Sequence, residues 1–406
     1  MRRTLPLWLS LAVACTESPA APPDAVAPDV APDAVAPDAT LDAPAPDTAT
    51  PDVSAPESGV VLPADVPTIG DPRAWDVRQR GPFHVGHRVL SVTYAPRGGV
   101  TASRTIPVHV WYPTFAIDGP HPTYQRLFRD AEAISDAPPA PPAHGAMYPV
   151  QVYSHGDRGF PGTSHFLMRY FATHGWVSVA PEHVGNTLSD TPMPRHFDIY
   201  HLRAQDVRAA LDHVAALPAG DPLAGRCDTR RVVLSGHSFG THTIWSVGGA
   251  TYDLALARTR CTPDVSCVDA DLEVLRGGGR DPRVVAAIPM AGSIDRGLFG
   301  PDGHRTVTIP ILSMSGTADP VGADAQFMTT APVDVTWIDV RGGCHQYFAL
   351  GGCPEIPDSF QDTIVSTWAL AFARRHVLSD DDATVRGVLD NSIPLSDRVT
   401  YRRRSP

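Results

Sequence analysis

Apolar and polar positions alternate over residues 83–94 and again over 106–112, which predicts two antiparallel strands around a turn region at Gly98-Gly99. Farther along, alternation gives way to short, mostly apolar stretches at 150–154, 176–181, 232–234, 284–288, 309–314 and 333–338. Such runs suit strands buried on both faces. Helical stretches separate several of them. Residues 166–174 and 364–376 are predicted helices, and 198–217 carry Ile199, Leu202, Val207, Leu211, Val214 and Leu217 at amphipathic spacing. The small residues of 241–250 read as a further helix. Strands alternating with helices predict an α/β fold: a mostly parallel central sheet with helices on both faces and an antiparallel N-terminal edge. Functional groups are then expected at the carboxyl ends of the strands.

The expected folded domain covers residues 69–376. Residues 113–147 are rich in proline and read as loop. Residues 253–283 read as an insertion holding Cys261, Cys267 and Gly277-Gly278-Gly279. That glycine run lacks the Lys-Ser/Thr of a phosphate-binding loop, so it is expected to be a flexible linker. Residues 377–406 are polar, end near Arg402-Arg403-Arg404, and are expected to form a partly ordered tail.

Composition changes the picture mainly at the amino terminus. Met1-Arg2-Arg3, an apolar run from Leu5 and small residues before Cys15 read as a signal peptide over residues 1–14. Leu11-Ala12-Val13-Ala14-Cys15 resembles a bacterial lipobox, which implies lipidation of Cys15; ordinary secretion is the alternative. Residues 15–68 are expected to be a disordered tether, since repeated Ala-Pro-Asp offers too little apolar surface to offset ordering. Proline and like charge should keep it extended. Residues 16–65 hold ten acidic residues and no basic one, so most of the formal charge of −11 sits there. The folded part is close to neutral, which argues against nucleic acid as a partner. Expected contact with a membrane is through the lipid anchor alone, in an exported cell-envelope protein that works as a monomer.

The chemistry centres on Val232-Val233-Leu234-Ser235-Gly236-His237-Ser238-Phe239-Gly240-Thr241. An apolar strand, Gly-x-Ser-x-Gly and a small-residue helix make the context of a nucleophile elbow, with Ser238 as nucleophile. Gly236 and Gly240 lack the Cβ atoms that would collide as the backbone doubles back. A serine needs a base, and the base an orienting carboxylate. Asp319 and His345 each follow a predicted strand, and the order Ser238, Asp319, His345 matches this arrangement. Asp295 and Asp324 are rivals for the acid. The backbone N–H groups of Phe239 and Asp157 are the expected oxyanion donors. His155 is expected to hold its turn by hydrogen bonding, and His237 and His242 to be packing residues. Glu182 and His183 have no ligand-spaced companions, so no metal is expected.

Residues 81–376 resemble bacterial α/β-hydrolases of the platelet-activating-factor-acetylhydrolase-like and dienelactone-hydrolase-like group. The resemblance is carried by Gly81-Pro82-Phe83 through Val108-His109-Val110-Trp111-Tyr112-Pro113, and by Tyr153-Ser154-His155-Gly156. Ala180-Pro181-Glu182-His183-Val184-Gly185-Asn186-Thr187 and Gly236-His237-Ser238-Phe239-Gly240 complete it. It implies an α/β-hydrolase fold and hydrolysis of carboxylic esters, commonly with short acyl groups, without a cofactor. Vertebrate platelet-activating-factor acetylhydrolases place the acid after the strand next to the elbow unit. Here that strand ends Ile288-Pro289-Met290-Ala291-Gly292, without an acid. Asp319 instead resembles the acid of dienelactone hydrolases and bacterial polyester hydrolases. Alternatives are a polyester or cutin-like substrate, a lipid acetyl hydrolase, an acyltransferase using the same residues, or an inactive surface binding module. Export permits disulfides, and short spacings favour Cys261–Cys267 and Cys344–Cys353, leaving Cys227 free. The alternative is that all five are thiols.

Overall fold

The apolar runs pair side by side. In the computed structural model, residues 59–405 are described except 66, 100, 101, 263, 264, 266, 323 and 324. The signal segment 1–14, Cys15, residues 16–58 and Asp324 lie outside the described residues. In chain order come β1 (His84–Tyr94), β2 (Arg104–Thr114), β3 (Thr123–Tyr124), β4 (Phe128–Arg129) and β5 (Ala133–Ser135). Next are β6 (Tyr148–Ser154), α1 (His165–Thr173), β7 (Val177–Pro181), α2 (Ile199–Ala215), β8 (Cys227–His237) and α3 (Gly240–Gly248). Then follow α4 (Leu254–Thr259), α5 (Asp269–Gly277), β9 (Val284–Met290), α6 (Arg296–Phe299), β10 (Ile311–Gly316) and α7 (Ala325–Thr329). The chain closes with β11 (Val335–Val340), α8 (Thr367–Val377), α9 (Ala383–Leu389) and β12 (Val399–Arg404).

Among the described residues ten strands make one sheet, in the order β12-β11-β10-β9-β8-β6-β7-β2-β1-β5. From β7 to β11 every pairing is parallel. The β1–β2 hairpin attaches antiparallel to β7. The architecture is therefore α/β, with a large mostly parallel sheet flanked by helices. Successive residues of a strand point to opposite faces, and both faces are buried here. On one face Val232 and Leu234 pack with Val207 and Leu211 of α2 and Ile244 of α3. On the other, Val233 and Ile288 pack with Leu167 of α1 and Trp368 of α8. Leaving β6, the chain turns first to β7 on one side and later to β8 on the other. That reversal makes the carboxyl ends of β6 and β8 a topological switch point, the place where such sheets bind ligands.

Four expectations need correction. Residues 377–406 are not a loose tail: α9 buries Val385 and Val388, and β12 pairs antiparallel with β11. Polar composition hid this strand because its arginine guanidiniums lie over rings, Arg402 over Trp337 at 5.5 Å and Arg404 over Phe327 at 5.0 Å. The 15–68 tether stops short of its expected end, since Val61 donates to Asp118 O and accepts from the Ile117 N–H, both at 2.9 Å. The 113–147 loop contains β3, β4 and β5, the last of which extends the sheet beyond β1. Finally, Gly279 is no flexible linker: a Cβ there would meet Ser246 Oγ at 2.0 Å, so this backbone lies directly on α3. Within the 253–283 insertion Cys261 and Cys267 are bonded, and α5 buries Leu272 and Leu275 in the core.

Candidate active site

β8 delivers Ser238 to this switch point. Val232, Val233 and Leu234 are fully buried, and the chain then reverses at Ser238, whose φ is +54°. A left-handed serine costs about 1–2 kcal/mol and persists only where neighbours hold it. The holding contacts are present: Ser238 N–H donates to Met290 O at 2.9 Å, and Thr241 N–H donates to Ser238 O at 2.9 Å. Gly240 lets α3 start against β6, because a Cβ there would lie 2.1 Å from Ser154 O. Ser238 itself is half-buried at this turn.

The candidate acid and base come from neighbouring strand ends. Asp319 lies three residues past β10 and His345 five past β11, and the two turns are stitched by Ala318 N–H to Gly343 O at 3.0 Å. His345 Nδ1 stands 3.2 and 3.1 Å from the two Asp319 carboxylate oxygens. Burial resists ionisation of Asp319, but hydrogen bonds from His345 and the Val321 N–H outweigh it and hold the carboxyl below its ordinary range. A histidine that donates Nδ1–H to a carboxylate keeps Nε2 as its basic nitrogen, which is the tautomer a serine requires. The Cys344–Cys353 disulfide fixes the residue just before His345. The Asp319 side chain is 1 % exposed and that of His345 21 %, so the carboxylate is shielded while the imidazole is partly exposed.

His237, the residue before Ser238, ties the base to the elbow. Its Nε2 donates to His345 O at 2.9 Å, and the two rings are 4.6 Å apart. Complete burial pulls His237 down to about 3, so it stays neutral and is not a competing base. His155 is equally committed, with Nδ1 donating to Gly156 O at 2.8 Å and Nε2 accepting from the His183 N–H at 3.0 Å. His242 Nε2 bonds Tyr200 O at 2.9 Å. Of these histidines only His345 combines a carboxylate partner on Nδ1 with partial exposure.

The turn after β6 lies against the serine, since a Cβ built on Gly156 would be 3.2 Å from Ser238 Cβ. Asp157 is held there by its side chain, whose two oxygens accept from Asn186 Nδ2 and Arg195 Nη2, each at 2.6 Å. Phe239 N-caps α3, ahead of the first intrahelical hydrogen bonds. The Asp157 and Phe239 backbones therefore flank Ser238 from two elements. The rival Asp295 instead caps α6 through the Gly297 N–H at 2.9 Å and pairs with Arg260 at 2.8 Å. His183 is held by Ser154 Oγ and Asp206 at 2.9 Å each, and Glu182 accepts from Gln125 Nε2 at 2.9 Å. Among the described residues no group of three or more His, Cys, Asp or Glu is placed to hold a metal ion. A cavity of about 700 Å³, lined by Asp71, His144 and Asp380 among others, opens elsewhere and shares no residue with this cluster.

Two buried charges lie beneath the elbow with no signal in the motifs. Arg203 and Asp206 are both fully buried on α2, at helical spacing from Ile199 and Leu202 within the apolar stripe. A charge set inside a buried stripe was the available signal. Asp206 binds Arg104 at 2.7 Å and His183, while Arg203 donates to His155 O in the turn after β6. No protein-family model matches the chain, and no curated protein matches it.

Proposed function

We propose that this chain is a serine hydrolase of the α/β-hydrolase fold that cleaves carboxylic esters through an acyl-enzyme. The observation that carries the reading is the His345–Asp319 pair, bonded through Nδ1 and tied by His237 to an elbow whose serine has φ +54°. In this reading Ser238 Oγ attacks the ester carbonyl and its proton passes to His345 Nε2. The tetrahedral oxyanion is met by the N–H groups of Phe239 and Asp157. The intermediate collapses as His345 returns the proton to the departing alcohol. Water then attacks the acyl-enzyme and gives a proton to His345, which passes it to Ser238 Oγ as the acyl bond breaks, leaving the carboxylic acid and free Ser238. An acyltransferase would differ only in the acceptor that replaces water.

The sequence features outside the described residues extend the proposal: export, lipidation of Cys15, and a Pro/Ala/Asp-rich tether carrying a monomeric domain at the cell envelope. Among the described residues no helix is long and apolar enough to cross a membrane.

The test is hydrolysis of p-nitrophenyl esters from acetate to decanoate by the full chain and by Ser238→Ala. The expected result is a single chain-length optimum, with activity at least about 10⁴-fold lower in the variant, the scale of a lost nucleophile. A folded wild type inert on every ester, or a variant that keeps its activity, would overturn the reading.

A further inference from the structure

Arg203 is a costly residue for its position. It is 0 % exposed, and among the described residues no ion pair includes it. Its hydrogen bonds go to neutral groups: Nε to Thr243 Oγ1 at 3.0 Å, Nη1 to Asn186 Oδ1 at 2.7 Å, and Nη2 to Ser154 Oγ at 3.1 Å and to His155 O. Burial draws the guanidinium down to about 9, and it remains a cation at neutral pH. A buried cation without a directly bonded anion is worse for stability than an apolar side chain of similar volume. Packing alone therefore gives no reason for an arginine here.

Its contacts do. The guanidinium carbon lies 4.7 Å from the centre of the Phe239 ring. His155, whose carbonyl it binds, opens the turn that ends in Asp157. Asn186 accepts from Arg203 with Oδ1 and donates to Asp157 with Nδ2 at 2.6 Å, so its amide is locked in one orientation. One side chain thus braces both residues whose N–H groups would form the oxyanion hole, although they sit on different elements. We infer that Arg203, acting through Asn186, His155 and Phe239, is the positioning residue of the oxyanion hole, and that its positive charge favours the anionic tetrahedral state. This inference rests on the serine-hydrolase reading.

A brace of this kind affects the transition state more than the bound ester. Misplacing a catalytic contact by about 1 Å can cost about 10²-fold, and losing an oxyanion donor about 10²–10³-fold. The test compares wild type, Arg203→Met and Asn186→Ala, counting active sites by complete labelling with an organophosphonate. The Asn186 variant cuts the link to Asp157 while leaving Arg203 in place, and it decides the question if Arg203→Met does not fold. The expected result is kcat on a short-chain ester lower by about 10²-fold for Arg203→Met and about 10-fold for Asn186→Ala, with KM within about threefold. Affinity for phenylboronic acid, which accepts Ser238 Oγ to form a tetrahedral boronate, should fall by the same factors. Folded, fully labelled variants with wild-type kcat and boronate affinity would overturn the brace alone. A wild type that resists labelling at Ser238 would overturn the hydrolase reading and the brace with it.

Discussion

Asp319→Asn is expected to fold normally and to lose about 10⁴-fold in kcat, the scale set by a misassigned histidine tautomer. Asp319 accepts Nδ1–H of His345 at 3.1–3.2 Å, which keeps Nε2 unprotonated and aimed away from the carboxylate. An asparagine can turn its NH₂ toward Nδ1, which moves the imidazole proton to Nε2 and removes the base. Because the Asp319 side chain is 1 % exposed and the substitution keeps its shape, little else changes. Steady-state rates on the best p-nitrophenyl ester, together with the thermal midpoint, check this. A loss smaller than tenfold would mean that another carboxylate orients the base.

The second large effect is on stability. Four buried histidines surround the elbow, and burial keeps each neutral: His183 and His237 are drawn down to about 3, His242 to about 4, and His155 well below its ordinary value. An unfolded chain carries the same groups near 6.5. Above that value they are neutral in both states and contribute no pH dependence. As the pH falls below it the unfolded state takes up protons that the folded state refuses, and stability is lost progressively toward the folded values. At pH 4.5 His183, His237 and His242 each cost about 2–3 kcal/mol, about 8 kcal/mol together, and His155 acts in the same direction. That is comparable to the whole stability of an ordinary domain. Circular dichroism is therefore expected to show cooperative unfolding between about pH 6 and 4, with proton uptake, well above the range in which carboxylates alone would act. A native spectrum at pH 3.5 would contradict it.

Much of the framework could be read from local patterns because local physics produced it. The apolar runs at 232–234, 284–288 and 309–314 have only one way to bury every side chain, as interior strands covered on both faces, and each became one. Gly240 is needed by a close backbone approach, and that need is visible in the motif itself. Asp319 and His345 each follow a stretch that spells a strand, and the parallel order of β8 through β11 brings those ends together. What escaped depends on tertiary partners. β12 reads as polar until Trp337, Phe327 and Trp368 supply rings for its arginines and Tyr401. That Asp295, the rival acid, instead caps α6 is a local contact with no unique spelling. Arg203 and Asp206 break the apolar stripe of α2, and only the buried network explains them.

The most direct test of the account is a peptide mass map of the full chain after reaction with an organophosphonate. The account predicts one phosphonyl group, on Ser238 and nowhere else, with labelling abolished by prior acid unfolding. Labelling absent from the native protein, or carried by another serine, would contradict it.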